Sequence, residues 1–466
     1  MAMTDADVVV VGARCAGSAA ATALARAGRR VIAVDSARFP SPTISTHLMW
    51  PGGLAELARL GALDRVEALG APRLPTASVE IPGVRAAGGY SPVDGIDYAM
   101  CVRRTGLDLA LVETARAAGA EVREGARVTG LIWSDGRVAG VEVSERGGRA
   151  YALRAPFVIG ADGRRSTVAR LVGAARPYLS RRDGRACYYA YFDDPREDLR
   201  PVAAQWRQGA ELGTAFPCDD GLTLVLLMPP DARSADFRQD PEKEYDRTID
   251  ELLPGLRERL RGCVRRSKVF GAHALESYFR ASNGPGWALA GDAGHFKDPV
   301  TAQGIRDALR FGRLLGETLA GQTRPATAEE ALQEAPGTPD GVDAAVAAWE
   351  RRRDHECLET FYWTERTGRA EPVGPLDVEM HRALRADPAL MRRFLDVYSR
   401  IVRPGAALTT PRLAGWTLRA LLRPGTDRTG LLAYVARTAR ELRLERATLR
   451  SPPGTSDASS RASPVS

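Results

Sequence analysis

The sequence predicts an α/β protein: a parallel sheet flanked by helices, a second and mixed sheet set into it, and a helical C-terminal region. Three observations predict this. Residues 7–35, "DVVVVGARCAGSAAATALARAGRRVIAVD", read as strand, glycine-rich turn, helix and strand. Two later apolar runs, "FVIG" at 157–160 and "WALA" at 287–290, lead into polar turns, as buried parallel strands do. From 186 to 228 the pattern changes to longer strands such as "CYYAYF" and "LTLVLLMP", and from 343 to 448 it becomes mostly helical.

Composition narrows the function classes. The chain has 466 residues, 44% hydrophobic and 26% charged, which suits a globular enzyme of two or three domains. Its formal charge is +7, yet only three of its 65 basic residues are lysines, and all are interspersed among 58 acidic ones. With no block of like charge and no recognisable module, a nucleic-acid partner is not expected. The six cysteines form no C-x-x-C pair, so neither a metal nor a redox motif is signalled. No run of 18 apolar residues exists, so no membrane insertion is expected. A strand begins at residue 8, leaving no room for a signal peptide, and a cytoplasmic location is the expectation.

Each element has a local reason. Val8 to Val11 is a continuous apolar run, the following helix carries small alanines that allow close packing on a sheet, and Gly28 closes it. "PGGLAELARL" (51–60) predicts a helix ending at Gly61. Residues 76–97 read as irregular strands. "RTGLDLALVETARAAG" (104–119) repeats apolar residues at Leu107, Leu111 and Ala115, a helical period. "RVTGLIW" and "RVAGVEV" flank Ser134-Asp135-Gly136, a hairpin turn. A helix is predicted over 241–262, a strand over 286–290, a helix over 304–320 and a loop over 323–342. The end of the chain, 451–466, has the composition of a disordered tail.

Three motifs carry chemistry. In "GARCAG", Gly12 to Gly17, glycines allow a tight bend, and the helix that follows offers N–H groups and a positive dipole to a pyrophosphate; Asp35, at the end of the next strand, suits a ribose hydroxyl. An ordinary βαβ turn is the alternative, since Arg14 stands where the dinucleotide pattern has its second glycine. In "VIGADGRRST", Asp162 and Gly163 follow a buried strand and permit close approach to a ligand, or form a plain strand-to-helix loop. In "WALAGDAGHFKDPVTAQGI", the strand delivers Gly291-Asp292, and Pro299 breaks the chain before a helix opening at Gln303-Gly304. The aspartate can accept from a polyol, and the helix aims its N-terminal dipole at an electron-rich ring edge. An incidental helix cap is the alternative. Lys297 and Asp298 read as a local ion pair, and His295 as a residue shaping its loop.

Together, over about residues 5–320, these motifs resemble the FAD-dependent oxidoreductases of the para-hydroxybenzoate hydroxylase-like superfamily, to which geranylgeranyl reductases are related. "GARCAGS" is similar to the turn of an actinobacterial-type subgroup that also carries "STH", here Ser45–His47, and "GDAG…KDP…QGI". The resemblance implies a Rossmann-like, glutathione reductase-type FAD-binding domain made of residues 1–75, 98–180 and 271–322. A mixed β-sheet substrate domain (76–97 and 181–270) would be inserted into it, followed by a helical region (323–450). It implies that Gly12, Ala13, Arg14, Cys15, Ala16 and Gly17 hold the FAD pyrophosphate, with the Arg14 guanidinium beside it. Asp35 would take the adenosine ribose, Arg104 the phosphate side, and Asp162 and Gly163 the flavin and the nicotinamide path. Gly291 and Asp292 would reach the ribityl chain, and Pro299, Gln303, Gly304 and Ile305 the flavin ring. Ser36, Thr46 and Val128 complete the expected contacts. The family's Gly-Gln-Gly-x-Asn stands here as Ala302-Gln303-Gly304-Ile305-Arg306.

His47 lies on a loop that in this fold passes the isoalloxazine. It reads as a general acid/base, a flavin contact, or a histidine bonded to loop backbone. Tyr189 and Tyr191 alternate on one strand face, and with Phe216 and Pro217 they are the expected substrate-pocket residues. The implied activity is monooxygenation of a small, largely apolar aromatic or polycyclic metabolite through a C4a-hydroperoxyflavin. NADPH or NADH would supply the electrons and O₂ the oxygen; a separate flavin reductase is the alternative electron source. The rivals are a flavin-dependent C=C reductase of the geranylgeranyl reductase type, a flavin halogenase, whose Trp-x-Trp-x-Ile-Pro stretch is absent, and a non-catalytic flavin-holding scaffold. The helical region over 343–448 is expected to cover the substrate pocket.

Overall fold

The computed structural model describes residues 4–145, 147–321 and 339–450. The chain opens with strand β1 (Val8–Val11), helix α1 (Cys15–Arg26), strand β2 (Val31–Asp35) and helix α2 (Pro51–Arg59). After strands β3 (Thr76–Ile81) and β4 (Val84–Gly88) come helix α3 (Arg104–Ala117) and strand β5 (Glu121–Glu124). A three-stranded antiparallel sheet over 126–154 leads to strand β6 (Phe157–Gly160). Strands β7 (Cys187–Asp193), β8 (Val202–Gln208), β9 (Glu211–Pro217) and β10 (Leu222–Leu227) follow, then β11 (Trp287–Leu289) and helix α4 (Gly304–Gly321). The C-terminal helices are α5 (Pro339–Gly368), α6 (Pro375–Ala386), α7 (Pro388–Tyr398), α8 (Thr410–Leu422) and α9 (Arg428–Arg450), with a short turn of helix at 404–407.

β1 is central in a sheet ordered β11-β6-β1-β2-β5, all parallel, with a short antiparallel strand at 283–284 on the edge beside β11. Alternation along β1 explains why it is apolar throughout. Val8 and Val10 belong to the core that α1, α4 and α5 build on one side of the sheet, whereas Val9 and Val11 belong to the core on the side of the three-stranded sheet, where Val128, Val141 and Val143 lie. α1 and α4 approach closely because small residues line the contact. A Cβ on Gly312 would stand 2.3 Å from the Ala16 carbonyl oxygen, and one on Gly316 2.6 Å from that of Ala20. This packing brings the N-terminus of α4 beside the glycine turn.

The second sheet runs β7-β10-β9-β8-β3-β4, with short strands at 264–265 and 270–272 beside β7. It is mixed, because β8 pairs with β3 in parallel and the other strands are antiparallel. Tyr188, Ala190 and Phe192 face the helical segment around 234–260, and Tyr189 and Phe216 face the opposite side.

Two expectations need correction. Residues 241–262 do not form one helix. Helices at Pro241–Arg247 and Pro254–Arg259 are separated by a π-helical turn at Thr248–Leu252, because Pro254 lacks an N–H and Leu253 takes a non-helical φ of −128°. The loop expected over 323–342 ends early, since α5 opens at Pro339, where a first-turn proline costs no hydrogen bond; 323–338 and the tail 451–466 lie outside the described residues.

Candidate active site

The glycine turn between β1 and α1 is needed at two positions and not at the third. Gly12 has φ +98°, and a Cβ there would stand 2.4 Å from the Ala161 carbonyl oxygen; one on Gly17 would stand 1.7 Å from that of Gly12. Arg14 has φ −80° and ψ −161°, extended backbone open to any residue, so arginine replaces glycine there without strain. Its guanidinium pairs with Asp108, donates to Ser41 O at 3.2 Å and Ser41 Oγ at 3.1 Å, and lies over the Phe39 ring. Asp108, fully buried, is also held by Arg104, whose Nη2 donates to Oδ1 at 2.8 Å, and it lies 3.6 Å from Cys15 Sγ. Burial works against the Arg104 charge, but Asp108, Cys15 and Asp292 together outweigh it and the net direction is up. The N-terminus of α1 has no side-chain cap. Asp35, buried at the end of β2, accepts from the N–H groups of Ala13 and Ala37, both at 2.8 Å. One lone pair on each of its oxygens is left over. Ser36 beside it is exposed and Thr46 is buried.

The turn after β11 meets this region. Gly291, at φ +59°, packs so tightly that an added Cβ would be 2.8 Å from Ala16 Cβ. Asp292 lends its carbonyl to Tyr278 at 2.7 Å, but its carboxylate has no hydrogen-bond partner among the described residues. Burial raises that carboxyl, against the pull of Arg164, Arg104 and Lys297. Asp162 instead accepts from Ser166 Oγ at 2.5 Å and from the N–H groups of Thr167 and Val168, capping the short helix 167–171; Gly163 next to it has open space around it.

At the α4 end, Pro299 opens a 3₁₀ turn, Ile305 is buried, and a Cβ on Gly304 would meet nothing within 4 Å. Gln303 Nε2 donates to Tyr398 O at 2.9 Å, while its Oε1 is buried without a partner. Ala302 stands in the left-handed region at φ 52°.

The local ion pair expected between Lys297 and Asp298 is not formed. Lys297 is buried against Asp307 and lies 3.2 Å from His295 Nε2, whereas Asp298 caps Val300 N–H at 2.8 Å and leaves Oδ2 without a partner. Opposite side-chain directions on neighbouring residues explain the difference. Burial would raise the Asp307 carboxyl, yet Lys297, Arg400 and Arg306 drive it well below its usual range. His295, Asp307 and Cys357 bring possible metal-ligand atoms within 4.8 Å of one another, and the Lys297 ammonium already sits on this group. Burial, then the repulsion of Asp183, pushes the Asp298 carboxyl up.

His47 is also buried at positive φ, 62°. Its Nδ1 lies 2.7 Å from the Ser45 carbonyl, which can only accept, so Nδ1 carries the proton and Nε2 accepts from the Tyr191 hydroxyl at 2.9 Å. Burial, then the Arg104 charge, lowers His47 to about 3, so the ring is neutral at ordinary pH. Tyr189 packs edge-on against the same ring.

A cavity of about 740 Å³ opens between the second sheet and helices α5 to α9. Alternate residues of β8 (Ala203, Gln205, Arg207) and of β3 (Ala77, Val79) form its floor; Trp363, Met391, Phe394 and Trp416 are among its roof. Trp50 closes the end toward α4 and donates from Nε1 to Thr301 O at 3.0 Å. Of the four expected pocket residues only Phe216 lines this cavity. Tyr189 and Tyr191 share a face as expected, but their rings are taken up by His47, and Pro217 sits where β9 ends. Asp108 was legible as the i+4 partner of Arg104 on a helix. Trp50, Arg207 and His381 carried no signal, because their common cavity is assembled from distant segments.

A glycine turn under an uncapped helix, an acid at the second strand end and an unpartnered aspartate beside a second helix start define a dinucleotide-binding oxidoreductase. Residues 5–337 match the family model described as "FAD binding domain", and the chain belongs to this family of FAD-dependent oxidoreductases. It is 30% identical over 338 residues to a menaquinone reductase of Mycolicibacterium smegmatis, covering 68% of this chain and 76% of that protein. It is 27% identical to a rifampicin monooxygenase of Streptomyces venezuelae, covering 68% and 64%. Among solved structures, a flavoprotein/dehydrogenase from Cytophaga hutchinsonii shares the fold at a TM-score of 0.71 and 20% identity, covering 89% of this chain and 99% of that one. The residues present fit FAD: the free Asp292 carboxylate, the uncapped α1 N-terminus and the open space at Gly304 each suit a part of it.

Proposed function

We propose that the chain is an FAD-dependent monooxygenase that uses NADPH or NADH and O₂ to oxygenate a largely apolar aromatic or polycyclic metabolite. The observation that carries this reading is the cavity between the second sheet and the C-terminal helices, of a size suited to a drug-sized ligand and walled mostly by apolar side chains. Its polar groups stand at discrete points, which suits a functionalised ring system better than a plain hydrocarbon tail.

In this reading FAD lies in a glutathione reductase-type domain of residues 1–75, 98–180 and 271–322. The substrate domain is 76–97 with 181–270, and the helices up to 450 close the cavity. FAD bound there supplies two-electron transfer and, with O₂, the oxygen atom. The first-turn N–H groups of α1 bind the pyrophosphate, with Arg14 and Arg104 adding positive charge that Asp108 holds in place. Asp35 accepts from the ribose and Asp292 from the ribityl hydroxyls. The α4 dipole faces the ring edge at Gly304. The helical roof and Trp50 exclude water from the reacting substrate.

A second reading is reduction, such as the C=C reduction weighed from the sequence; the 30% identity to a menaquinone reductase favours a reductase. Halogenation is disfavoured because Lys297 is buried in its pair with Asp307 and the other two lysines, Lys243 and Lys268, are exposed. Turnover under ¹⁸O₂ separates the readings. A monooxygenase incorporates one labelled atom into product; a substrate that instead gains two hydrogens without O₂ overturns oxygenation in favour of reduction.

A further inference from the structure

Arg207 and His381 face the cavity from opposite walls, each with hydrogen-bonding capacity left unfilled. The Arg207 side chain, on β8, makes no hydrogen bond among the described residues and stands only in a long ion pair. Its nearest carboxylate oxygen, Asp377 Oδ1, stands at 3.9 Å, beyond hydrogen bonding, and Asp377 Oδ2 already accepts from Gly374 N at 2.9 Å. The Arg207 side chain is only 16% exposed, so little water compensates its charge. His381, on α6, is 3% exposed. Its Nδ1 lies 2.7 Å from the Asp377 carbonyl and must carry the proton, which leaves Nε2 as an acceptor with no partner among the described residues. Both residues line the cavity and both flank Asp377, so a fixed cation and a fixed acceptor stand near each other, whereas the other arginines of the lining, Arg366, Arg369 and Arg437, are each paired with a glutamate.

Resting on the reading of this cavity as the substrate site, we infer that its ligand bears a hydroxyl near an anionic or carbonyl oxygen. Arg207 takes the oxygen acceptor and His381 Nε2 takes the hydroxyl hydrogen. A purely hydrocarbon ligand would leave both groups desolvated and unpaired, and the site would reject it.

The test uses the FAD-loaded protein and three probes: 1-hydroxy-2-naphthoate, 2-naphthoate and 2-methylnaphthalene, each titrated calorimetrically. The hydroxy acid is expected to bind roughly tenfold or more tightly than the hydrocarbon, the gap given by a hydrogen bond to a charged group. Arg207→Met should remove most of that preference while still binding 2-methylnaphthalene, and Arg207→Lys should retain part of it, which also shows that the position tolerates change. His381→Phe should erase the advantage of the hydroxy acid over 2-naphthoate. Equal affinity of the wild type for all three probes, or variants that keep the full preference, overturns the inference and leaves the cavity as a binding site. Failure of the wild type to bind any probe overturns the cavity reading and the inference with it.

Discussion

Tyr191 donates its hydroxyl hydrogen to Nε2 of His47 at 2.9 Å, and the Ser45 carbonyl behind the ring sets that direction. The imidazole is therefore a neutral acceptor inside the protein, joined to the second sheet through the tyrosine.

A pH prediction follows. His47 in the folded chain is lowered to about 3, chiefly by burial, while the unfolded side chain titrates near its ordinary value of about 6.5. Between those values the unfolded state binds more protons, so the stability that this group contributes is present above about pH 6.5 and is lost as pH falls toward 3. His295, lowered to about 3 by burial and then by Lys297, adds a slope of the same sign. His47→Asn, a residue that accepts the positive φ, should flatten the decline of the melting temperature between about pH 6.5 and 4. Melting curves across that range check it, and an unchanged slope would count against the buried neutral histidine.

Asp292→Ala should weaken FAD binding by about tenfold or more, because it removes an acceptor from buried ligand hydroxyls at a cost of roughly 1–3 kcal/mol. Asp135→Ala, in the exposed hairpin turn, is the control and should bind FAD as the wild type does. Flavin release followed by fluorescence compares them; equal affinities would remove Asp292 from the site.

Arg14→Gly restores the common glycine pattern yet should not improve the protein. The backbone there is already extended, so glycine relieves nothing, and Asp108 loses one of its two arginines. A stability loss of about 1–2 kcal/mol is expected for a charged hydrogen bond that is partly screened by solvent. FAD affinity should fall as well, more at low salt than at high. Calorimetry at two salt concentrations reads both, and a variant with equal melting and tighter FAD binding would refute the role of Arg14.

Ala302→Gly should be neutral to stabilising, by up to about 1 kcal/mol, because the left-handed conformation costs alanine roughly 1–2 kcal/mol while glycine adds chain entropy to the unfolded state. Denaturant midpoints measure it. A clear loss of stability would show that the methyl group packs favourably enough to outweigh the strain.

Gly312→Ala should destabilise by about 1–3 kcal/mol, since the new methyl group meets the Ala16 carbonyl oxygen at 2.3 Å and must part α1 from α4. FAD affinity should drop with it, because both helix N-termini move. Wild-type melting and flavin retention in this variant would contradict the close-packing account.

The sequence by itself determined the central unit of β1, α1 and β2, the buried strands that lead into the Asp162 and Asp292 turns, and the helical C-terminal region. These rest on periodicity and on glycines whose need is local, as at Gly12 and Gly17. It also carried the FAD-binding family, because the three motifs hold their order along the chain. Only the tertiary structure decided what the side chains meet. Arg14 finds Asp108, and Tyr191 finds His47, across 94 and 144 residues of chain. Lys297 turns from its neighbour Asp298 to Asp307 because the loop buries the two on different partners. Arg207 and His381 come to one cavity because a sheet strand and a C-terminal helix are packed face to face. Local pattern reports which side of an element is buried; it holds no information about which distant surface will be placed against it, and the polar chemistry of this site is made at those surfaces.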